Sequence, residues 1–533
     1  MSRARLSLAQ LSRWFAAAVG SAALAGCSLT GPIHAPASPG TAASSGVPSK
    51  SSSALPPDGR PLQPVPPVRP AGFAGPPPGQ GLARYRDQPL EWAPCLDHLE
   101  CAGVFAPLDY TKPDQQAITL RLAKRPATAG VDRLGTLFVN PGGPGVSGIG
   151  VVQAFRGGGL GEYDIVGWDP RGVGQSTPVR CFERENLDRY LATDHSPDNG
   201  GETEALITEE RSLGQSCLQR SGALLEHVST AETVRDLDLL RGLVGDAKIN
   251  YLGLSYGTRV GALYAQLFPK RVGRLVLDGA VNITGSEVEQ AQGFERALAN
   301  FASWCANQHT ELGGSKDEVL HTVTTLLRQL DGQPIKVGTR SLTQQLAVTA
   351  VVFPLYGQQD AWAALRDALL SAVRDHDGAR LLRLADQFDE RRADGNYGQW
   401  IIAFPAIRCL DSSATSVRAA VRQSEMVIKK APTIGPFWGP DLTCPLWPVA
   451  PGPPTPKITA RGAAPIIVIG TTGDPATPYE YAVGMAQQLD SAVLVTFHGS
   501  GHVAYSQSEC VRQIVRNYLV DDVVPGDGAS CST

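Results

Sequence analysis

The chain has 533 residues, an apolar fraction of 42% and a formal net charge of −4. This length can hold two or three domains, or one α/β domain with large insertions, and the apolar fraction is ordinary for a globular protein with a sizeable core. Because the net charge is slightly negative and no basic cluster marks a nucleic-acid surface, we expect no nucleic-acid partner.

The first 26 residues have the layout of an export signal. Three arginines precede an apolar run, 14–26, which is too short to cross a membrane. The run ends in Leu-Ala-Gly-Cys27, which resembles a bacterial lipoprotein box, although simple secretion with a coincidental cysteine is the alternative. We predict a lipoprotein signal peptide at 1–26 and lipidation of Cys27. The protein is then exported to the cell envelope, either anchored to the membrane through this lipid or released in a secreted form.

Residues 27–85 are rich in proline, serine, alanine and glycine and contain few aromatic residues. Such a segment buries too little apolar surface to offset the entropy that is lost on ordering. We therefore predict a disordered tether between the lipid anchor and the folded body.

Strand-like and helix-like segments then alternate along the chain. Segments 104–110 and 117–125 are rich in β-forming residues, and the short apolar runs 136–140 and 163–169 each end at a turn signal. This alternation is typical of a mostly parallel sheet covered by helices.

The pattern changes to mainly helical near residue 287, and the alternation resumes near residue 463. We predict an α/β fold whose core has two parts, 86–286 and 463–533. The helical insertion between them, 287–462, is larger than a loop, and we interpret it as a lid.

The stretch Gly253-Leu254-Ser255-Tyr256-Gly257 lies between an apolar strand and a helix. It has the form of a nucleophile elbow, in which a strained turn presents the serine hydroxyl and the flanking glycines avoid clashes. A glycine-rich turn that merely contains serine is the alternative. Because the strand and the helix supply the context that the motif requires, we predict that Ser255 is a catalytic nucleophile.

A serine nucleophile needs a base that is oriented by an acid, and in this architecture both follow the serine along the chain. His502 lies in a glycine-rich loop after the final strand, whereas His498 lies where that strand stops, so we predict His502 as the base. For the acid we prefer Asp474 to Asp278, because the Asp474 loop is nearer in topology to the histidine loop. The three predicted catalytic residues follow three different strands and should meet at the carboxyl edge of the sheet.

The sequence Asn-Pro-Gly-Gly-Pro-Gly at 140–145 directly follows the strand-like run 136–140. Its glycines leave backbone amides unobstructed, as a site that stabilises an oxyanion requires. We predict the amide of Gly143, with Gly142 as its alternative, and the amide of Tyr256 as the two donors. This chemistry is complete with side chains and amides, so we expect no cofactor.

Arg171 follows the strand-like run 163–169. We expect it to pair with carboxylates or backbone groups, because an arginine cannot act as a proton-transfer base at neutral pH.

Ten cysteines in an exported chain predict disulfides. With Cys27 lipidated nine remain, so at most four bridges form. Short separations favour the pairs Cys95–Cys101, Cys181–Cys217 and Cys510–Cys531. His98 gives the first of these loops a metal-like spacing, but in an oxidising compartment we favour the disulfide and expect no metal.

The motifs together resemble those of the α/β-hydrolase serine peptidases. They are NPGGPG at 140–145, DIVGWDPRGVGQS at 164–176, GLSYGT at 253–258, GDPATP at 473–478 and GSGH at 499–502. Among these peptidases the chain is most similar to the tripeptidyl aminopeptidase and prolyl iminopeptidase group, which includes actinobacterial cell-envelope serine proteases. The resemblance runs from residue 92 to the C-terminus and identifies 463–533 as a TAP-like C-terminal segment.

The resemblance implies the α/β-hydrolase fold and the same three catalytic roles. It also implies that Thr477 helps to hold the catalytic loop and that Cys409 and Cys444 form a bridge. Members of this group often have a second cysteine shortly after the position of Cys305, and because this chain has none there, we expect Cys305 to be the unpaired thiol. The implied activity is that of an exported aminopeptidase or tripeptidyl aminopeptidase, which cleaves peptide or protein substrates through an acyl-enzyme. A carboxylesterase or lipase that acts on acyl esters of the cell envelope is the alternative on the same catalytic residues.

Overall fold

The computed structural model describes residues 73–95, 98–155, 159–283, 287–413, 416–453, 455 and 457–532. The signal peptide predicted at 1–26, the predicted lipidation site Cys27 and most of the predicted tether lie outside the described residues. Within the described ranges, no helix combines the length and the hydropathy that a membrane span requires.

The folded body begins before the end of the predicted tether. Ala74 and Ala117 exchange two backbone hydrogen bonds, of 3.0 and 3.1 Å. The short helix α1, Ala83–Arg86, places Tyr85 in the interior with 1% of its surface exposed. The prediction of a disordered tether is therefore wrong for residues 73–85, because a β-bridge and one buried aromatic ring anchor a segment whose composition is otherwise poor in apolar residues.

The strands form one large sheet and one small hairpin. They are β1 Ala93–Pro94, β2 Glu100–Pro107, β3 Ala117–Arg125, β4 Gly135–Asn140, β5 Tyr163–Asp169, β6 Ile249–Leu254, β7 Val272–Asp278, β8 Ile335–Val337, β9 Arg340–Leu342, β10 Ile466–Gly473, β11 Ala492–Ser500 and β12 Ser530–Ser532. In the described part of the chain, the large sheet has the order β1-β2-β3-β5-β4-β6-β7-β10-β11-β12. Pairing is antiparallel from β1 to β3 and between β3 and β5, and it is parallel from β5 to β12.

Helices connect the parallel strands and form most of the insertion. After α1 they are α2 Gly148–Ala154, α3 Arg184–Ala192, α4 Gly200–Ser221, α5 Thr230–Leu243, α6 Gly257–Leu267, α7 Glu287–Asn307, α8 Lys316–Gly332, α9 Gln344–Val352, α10 Gln359–Asp375, α11 Ala379–Phe388, α12 Trp400–Asp411, α13 Val417–Lys430, α14 Tyr479–Gln488 and α15 Glu509–Leu519.

The central strands are apolar on both faces because helices cover both. In β10, Ile466 and Val468 pack in one core with α5 and α6, whereas Ile467 and Ile469 pack in a second core with α2 and α15. Successive side chains of a strand point to opposite faces, so a continuous apolar run fits a sheet that is buried on both sides. The mostly parallel sheet and its two helical layers confirm the predicted α/β fold.

The insertion between β7 and β10 has a hydrophobic core of its own. Its helices contribute fully buried side chains such as Phe301, Leu327, Leu365 and Leu381. The antiparallel hairpin β8–β9 lies between α8 and α9 and adds a small β element to the mainly helical segment. The insertion therefore has the packing of a cap with a separate core rather than that of a long loop.

Four disulfides lie within the described chain. They join Cys95 to Cys101, Cys181 to Cys217, Cys409 to Cys444 and Cys510 to Cys531. Cys305 is buried and unpaired. These pairings confirm the sequence predictions, including the leftover thiol, and the bridge at Cys95 removes its metal-like spacing as a candidate site.

Arg171 lies just beyond β5 with no exposed surface. Its guanidinium donates to both carboxylate oxygens of Asp236 at 2.7 Å and also to the backbone carbonyls of Leu108, Pro107 and His227. A buried charge with a bidentate partner and satisfied donors fixes the geometry around it. As expected from the sequence, Arg171 has a structural role, because it holds α5 against the end of β5.

Replacing Asp236 with alanine should lower the free energy of unfolding by about 3–5 kcal/mol, because the buried Arg171 would lose its bidentate partner and keep only Glu232, at 3.5 Å, as a carboxylate neighbour. Denaturant unfolding followed by tryptophan fluorescence measures this change. The matched control is Glu480→Ala, which removes the partner of Arg296 from a pair whose side chains are 47% and 65% exposed. The control should change stability by less than about 1 kcal/mol, and equally small effects of both variants would contradict the account.

Candidate active site

Ser255 occupies the sharp turn between β6 and α6. Its φ is +55°, in the left-handed region that is strained for a residue with a side chain. A Cβ on Gly253 would lie 2.4 Å from the carbonyl oxygen of Gly257, and one on Gly257 would lie 2.7 Å from that of Asn140. The backbone must therefore come this close for Ser255 to adopt the turn, and only glycine permits it without a shift.

His502 and Asp474 face each other at the ends of neighbouring strands. The Nδ1 atom of His502 lies 3.0 Å from Oδ1 and 2.9 Å from Oδ2 of Asp474. Asp474 is buried, and its carboxylate also accepts from the backbone N–H groups of Ala476 at 2.9 Å and Thr477 at 2.8 Å. With Nδ1 directed to the acid, Nε2 is the ring nitrogen that remains for proton transfer.

Opposing effects act on the pKa of His502. Burial lowers this pKa because the imidazolium loses hydration, whereas the charge of Asp474 and its hydrogen bond raise it. The net shift of the pKa of His502 is upward from its ordinary value. The pair can therefore accept a proton and stabilise the resulting imidazolium.

The two alternative residues from the sequence lie elsewhere. The carboxylate of Asp278 accepts from the backbone N–H groups of Ala504 at 3.1 Å and Tyr505 at 2.6 Å, and burial raises the pKa of Asp278 to about 6. Asp278 therefore holds the backbone that follows His502, and its carboxylate forms no hydrogen bond with the imidazole in the described chain. His498 is exposed on β11. Of the two candidate acids and the two candidate bases, Asp474 and His502 are thus the pair in contact in the structure.

The hydroxyl of Thr477 lies between the acid and the base. Its Oγ1 donates to Oδ2 of Asp474 at 3.0 Å and lies 3.2 Å from Nδ1 of His502. A Cβ on Gly279 would lie 3.3 Å from this hydroxyl and 3.2 Å from Cε1 of His502, so the chain after β7 packs on both side chains. Thr477 is placed to position the acid and the imidazole.

The glycine-rich loop after β4 packs directly on the elbow. A Cβ on Gly142 would lie 2.8 Å from the Cβ of Ser255 and 3.0 Å from the amide nitrogen of Tyr256. The N–H of Gly142 donates to Oδ1 of Asn140 at 3.0 Å. Among the described residues no acceptor lies within hydrogen-bonding range of the amides of Gly143 and Tyr256. Of the two glycines weighed from the sequence, Gly143 is thus the one whose amide is uncommitted.

A second polar chain that sequence reasoning missed lies behind Tyr256. The phenol oxygen of Tyr256 lies 2.5 Å from Oγ1 of Thr230, and this hydroxyl donates to Asp411. Asp411 also accepts from the backbone N–H of Thr230 at 2.9 Å. A carboxylate at the end of α12 therefore fixes the residue that follows Ser255, and no role was predicted for Asp411 from the sequence.

Two further parts of the insertion contact the site and were not assigned from the sequence. The carbonyl of Tyr356 accepts from the backbone N–H of His502 at 2.8 Å. On the opposite side, a Cβ on Gly145 would lie 2.9 Å from the Cβ of Ala403 and 3.1 Å from the amide nitrogen of Phe404. The insertion thus touches both the histidine loop and the glycine-rich loop.

One group of carboxylates has the spacing of a metal site. Oxygens of Asp194, Glu202 and Asp331 lie within 4.8 Å of one another, and all three residues are half-buried. None of them contacts Ser255, Asp474 or His502 through a hydrogen bond within the described ranges. Acidic groups also gather on surfaces without an ion, so this group defines no centre for the chemistry.

The chain is similar to curated proteins over most of its length. It is 35% identical over 484 residues to serine protease Hip1 of Mycobacterium tuberculosis, covering 83% of this chain and 91% of that protein. It is 36% identical over 455 residues to carboxylesterase B of the same organism, covering 81% and 86%. The tripeptidyl aminopeptidase of Streptomyces lividans is 29% identical over 479 residues, covering 84% and 88%. Residues 431–531 match the family model described as TAP-like protein.

The pairing of His502 with Asp474 makes a prediction about titration. The pKa of His502 should be lower in Asp474→Asn than in the wild type, because burial and the charge of Asp278 remain while the attraction and the hydrogen bond of the Asp474 carboxylate are lost. The measurement is the pH dependence of the ring nitrogen shifts in protein labelled with ¹⁵N-histidine. His498→Gln removes an exposed ring and serves as the control. If the pKa of His502 is the same in Asp474→Asn and in the wild type, the pairing is contradicted.

Proposed function

Because the chain belongs to the α/β-hydrolase serine peptidases of the tripeptidyl aminopeptidase group, we propose that Ser255, His502 and Asp474 form the catalytic triad with which it cleaves peptide bonds. The observation that carries the proposal is the contact of 2.9 Å between His502 and Asp474, next to an elbow whose serine has a φ of +55°. A nucleophile on a strained turn, a base and a buried acid at the ends of three strands are the parts that acyl transfer requires.

In the first step, Oγ of Ser255 attacks the carbonyl carbon of the scissile bond. Nε2 of His502 takes the hydroxyl proton, and Asp474 stabilises the imidazolium that forms. The carbonyl oxygen becomes an oxyanion, which accepts hydrogen bonds from the amides of Gly143 and Tyr256. The uncommitted state of both amides supports this role.

In the second step, the imidazolium of His502 gives its proton to the leaving amine as the carbon–nitrogen bond breaks. The acyl group remains on Ser255 as an ester. His502 then takes a proton from a water molecule, whose oxygen attacks the ester carbon. His502 returns this proton to Oγ of Ser255 as the ester bond breaks, which releases the acid product and regenerates the free serine and the neutral imidazole. Thr477 positions the acid and the base throughout and transfers no proton.

For the substrate, we propose a peptide with a free N-terminus. An N-terminal ammonium requires a carboxylate, and the insertion has two acidic side chains directly after α11: Asp389, which is buried, and Glu390, which is half-buried. Burial raises the pKa of Asp389 to about 8 and that of Glu390 to about 7, and neither forms an ion pair within the described chain. By contrast, Glu295 is already occupied, because it accepts from the backbone of Thr433 and Ile434.

The insertion is proposed to act as a lid over this site. Its contacts with His502 at Tyr356 and with Gly145 at Ala403 and Phe404 support that role. A cap that touches both sides of the catalytic groups excludes water and selects the substrates that enter.

We also propose export and a lipid anchor at Cys27. The support is the sequence alone, namely the arginine-flanked apolar run and the Leu-Ala-Gly-Cys ending. In this proposal the enzyme acts on peptides or proteins outside the cytoplasm while it is held at the cell envelope.

The activity is tested with the full chain and its Ser255→Ala variant, purified in mild detergent. Peptide amides with a free or an acetylated N-terminus and short acyl esters are the substrates. We expect cleavage of the free-amine peptides, little cleavage of the acetylated ones, and a loss of at least about 1,000-fold in kcat/KM in Ser255→Ala. Ser303→Ala is the matched control, because that serine donates to Ala299 within α7.

Two results would change the conclusion. Equal activity of Ser255→Ala and the wild type would rule out Ser255 as the nucleophile. Hydrolysis of esters without any peptide would favour an esterase, the reaction named for the 36% identical carboxylesterase B.

A further inference from the structure

Four aromatic rings of the insertion contact one another in series. The centroid distances are 6.2 Å from Tyr356 to Phe388, 5.2 Å from Phe388 to Trp400 and 6.2 Å from Trp400 to Phe404. The last two pairs are nearly perpendicular, at 88° each, which is a favoured edge-to-face arrangement. We call these four residues the aromatic arc.

Each end of the aromatic arc contacts a different side of the proposed catalytic machinery. The ring of Tyr356 lies edge-on to the imidazole of His502, with centroids 5.5 Å apart. At the other end, the backbone of Phe404 lies against Gly145 of the glycine-rich loop. The arc therefore runs from the base to the loop that carries the proposed oxyanion donor, and the elbow lies against the same loop.

The rings of the arc keep part of their surface exposed. All four residues are half-buried. Aromatic residues in the insertion's own core range from buried, such as Phe301 with 0% exposed, to half-buried, such as Trp304. What distinguishes the arc from Trp304 is its position, because its two ends contact His502 and the glycine-rich loop. Aromatic surface beside a few placed polar groups is the usual lining of a site for a small ligand.

We propose that the aromatic arc binds the side chain of the substrate residue that contributes the scissile carbonyl. Its contact with the glycine-rich loop at Phe404 places it beside the position of that carbonyl. The arc then selects acyl residues with a large apolar side chain or a ring, such as phenylalanine, leucine or proline. This inference rests on the proposed role of Ser255 and specifies its substrate class.

The physical reason for this selection is the burial of apolar area. A large apolar side chain against the arc removes two surfaces from water and gains ring contacts, whereas alanine or glycine leaves the rings hydrated. A difference of one methylene group between two substrate side chains in a hydrophobic pocket changes kcat/KM by about 10- to 200-fold.

The test uses the full chain with aminoacyl-coumarin amides of phenylalanine, leucine, proline, alanine and glycine, all with free amines. We expect the wild type to prefer the first three, and we expect Trp400→Ala to lower kcat/KM for phenylalanine at least about 10-fold more than for alanine. Trp400→Phe keeps a ring and should retain most of the preference. The matched control is Trp304→Ala, whose half-buried ring contacts Phe301 and Trp362 within the insertion and should not change the ratio.

The same amino acids are also tested as nitrophenyl esters. Labelling of Ser255 by a fluorophosphonate measures the fraction of the protein that has a reactive serine. If esters are cleaved with the expected preference but amides are not, the peptidase proposal fails and the arc proposal stands. If amides are cleaved at rates that do not depend on the acyl side chain, the arc proposal fails alone. A uniform loss in Trp400→Ala across all acyl residues would also overturn it, because the ring would then have only a structural role.

Discussion

The close approach of two backbone segments controls the geometry of this site. The elbow at Ser255 can adopt its left-handed turn only because the flanking glycines let it meet the end of β4, where a Cβ on Gly257 would lie 2.7 Å from the carbonyl oxygen of Asn140. The same approach brings Gly142 against Ser255 and the amide of Tyr256. Ser255 and the proposed oxyanion donors are therefore positioned by one backbone contact, which leaves no room for a side chain.

The order of the strands brings Asp474, His502 and Asp278 to the same edge of the sheet as this contact. Because β6, β7, β10 and β11 are parallel neighbours, the loops that follow them meet at one edge, and there Asp474 and His502 pair while Asp278 anchors the histidine loop. The insertion then contacts the edge from two sides, through Tyr356 and Phe404. The sheet thus carries the residues of the proposed triad, and the insertion packs on the loops that hold them.

The sequence predicted the features that depend on local pattern. The alternation of apolar runs predicted the α/β fold, and the short cysteine separations predicted three of the bridges. The preference for Asp474 over Asp278 as the catalytic acid rested on topology and stays a prediction, and in the structure Asp474 contacts His502 while Asp278 contacts the backbone of Ala504 and Tyr505. Sequence reasoning missed Asp411, Tyr356 and the aromatic arc, because their positions depend on how the insertion packs on the sheet. It also extended the tether too far, because one buried ring, that of Tyr85, outweighs a composition poor in apolar residues.

In the proposed mechanism Ser255 is the nucleophile, and the amides of Gly143 and Tyr256 donate to the oxyanion. The most direct test of this mechanism is a crystal structure of the protein after reaction with a fluorophosphonate, whose phosphoryl oxygen stands in for the oxyanion. The account predicts a covalent bond from Oγ of Ser255 to phosphorus, with the phosphoryl oxygen about 2.7–3.1 Å from both amide nitrogens. Modification of a different residue, or a phosphoryl oxygen directed away from both amides, would contradict it.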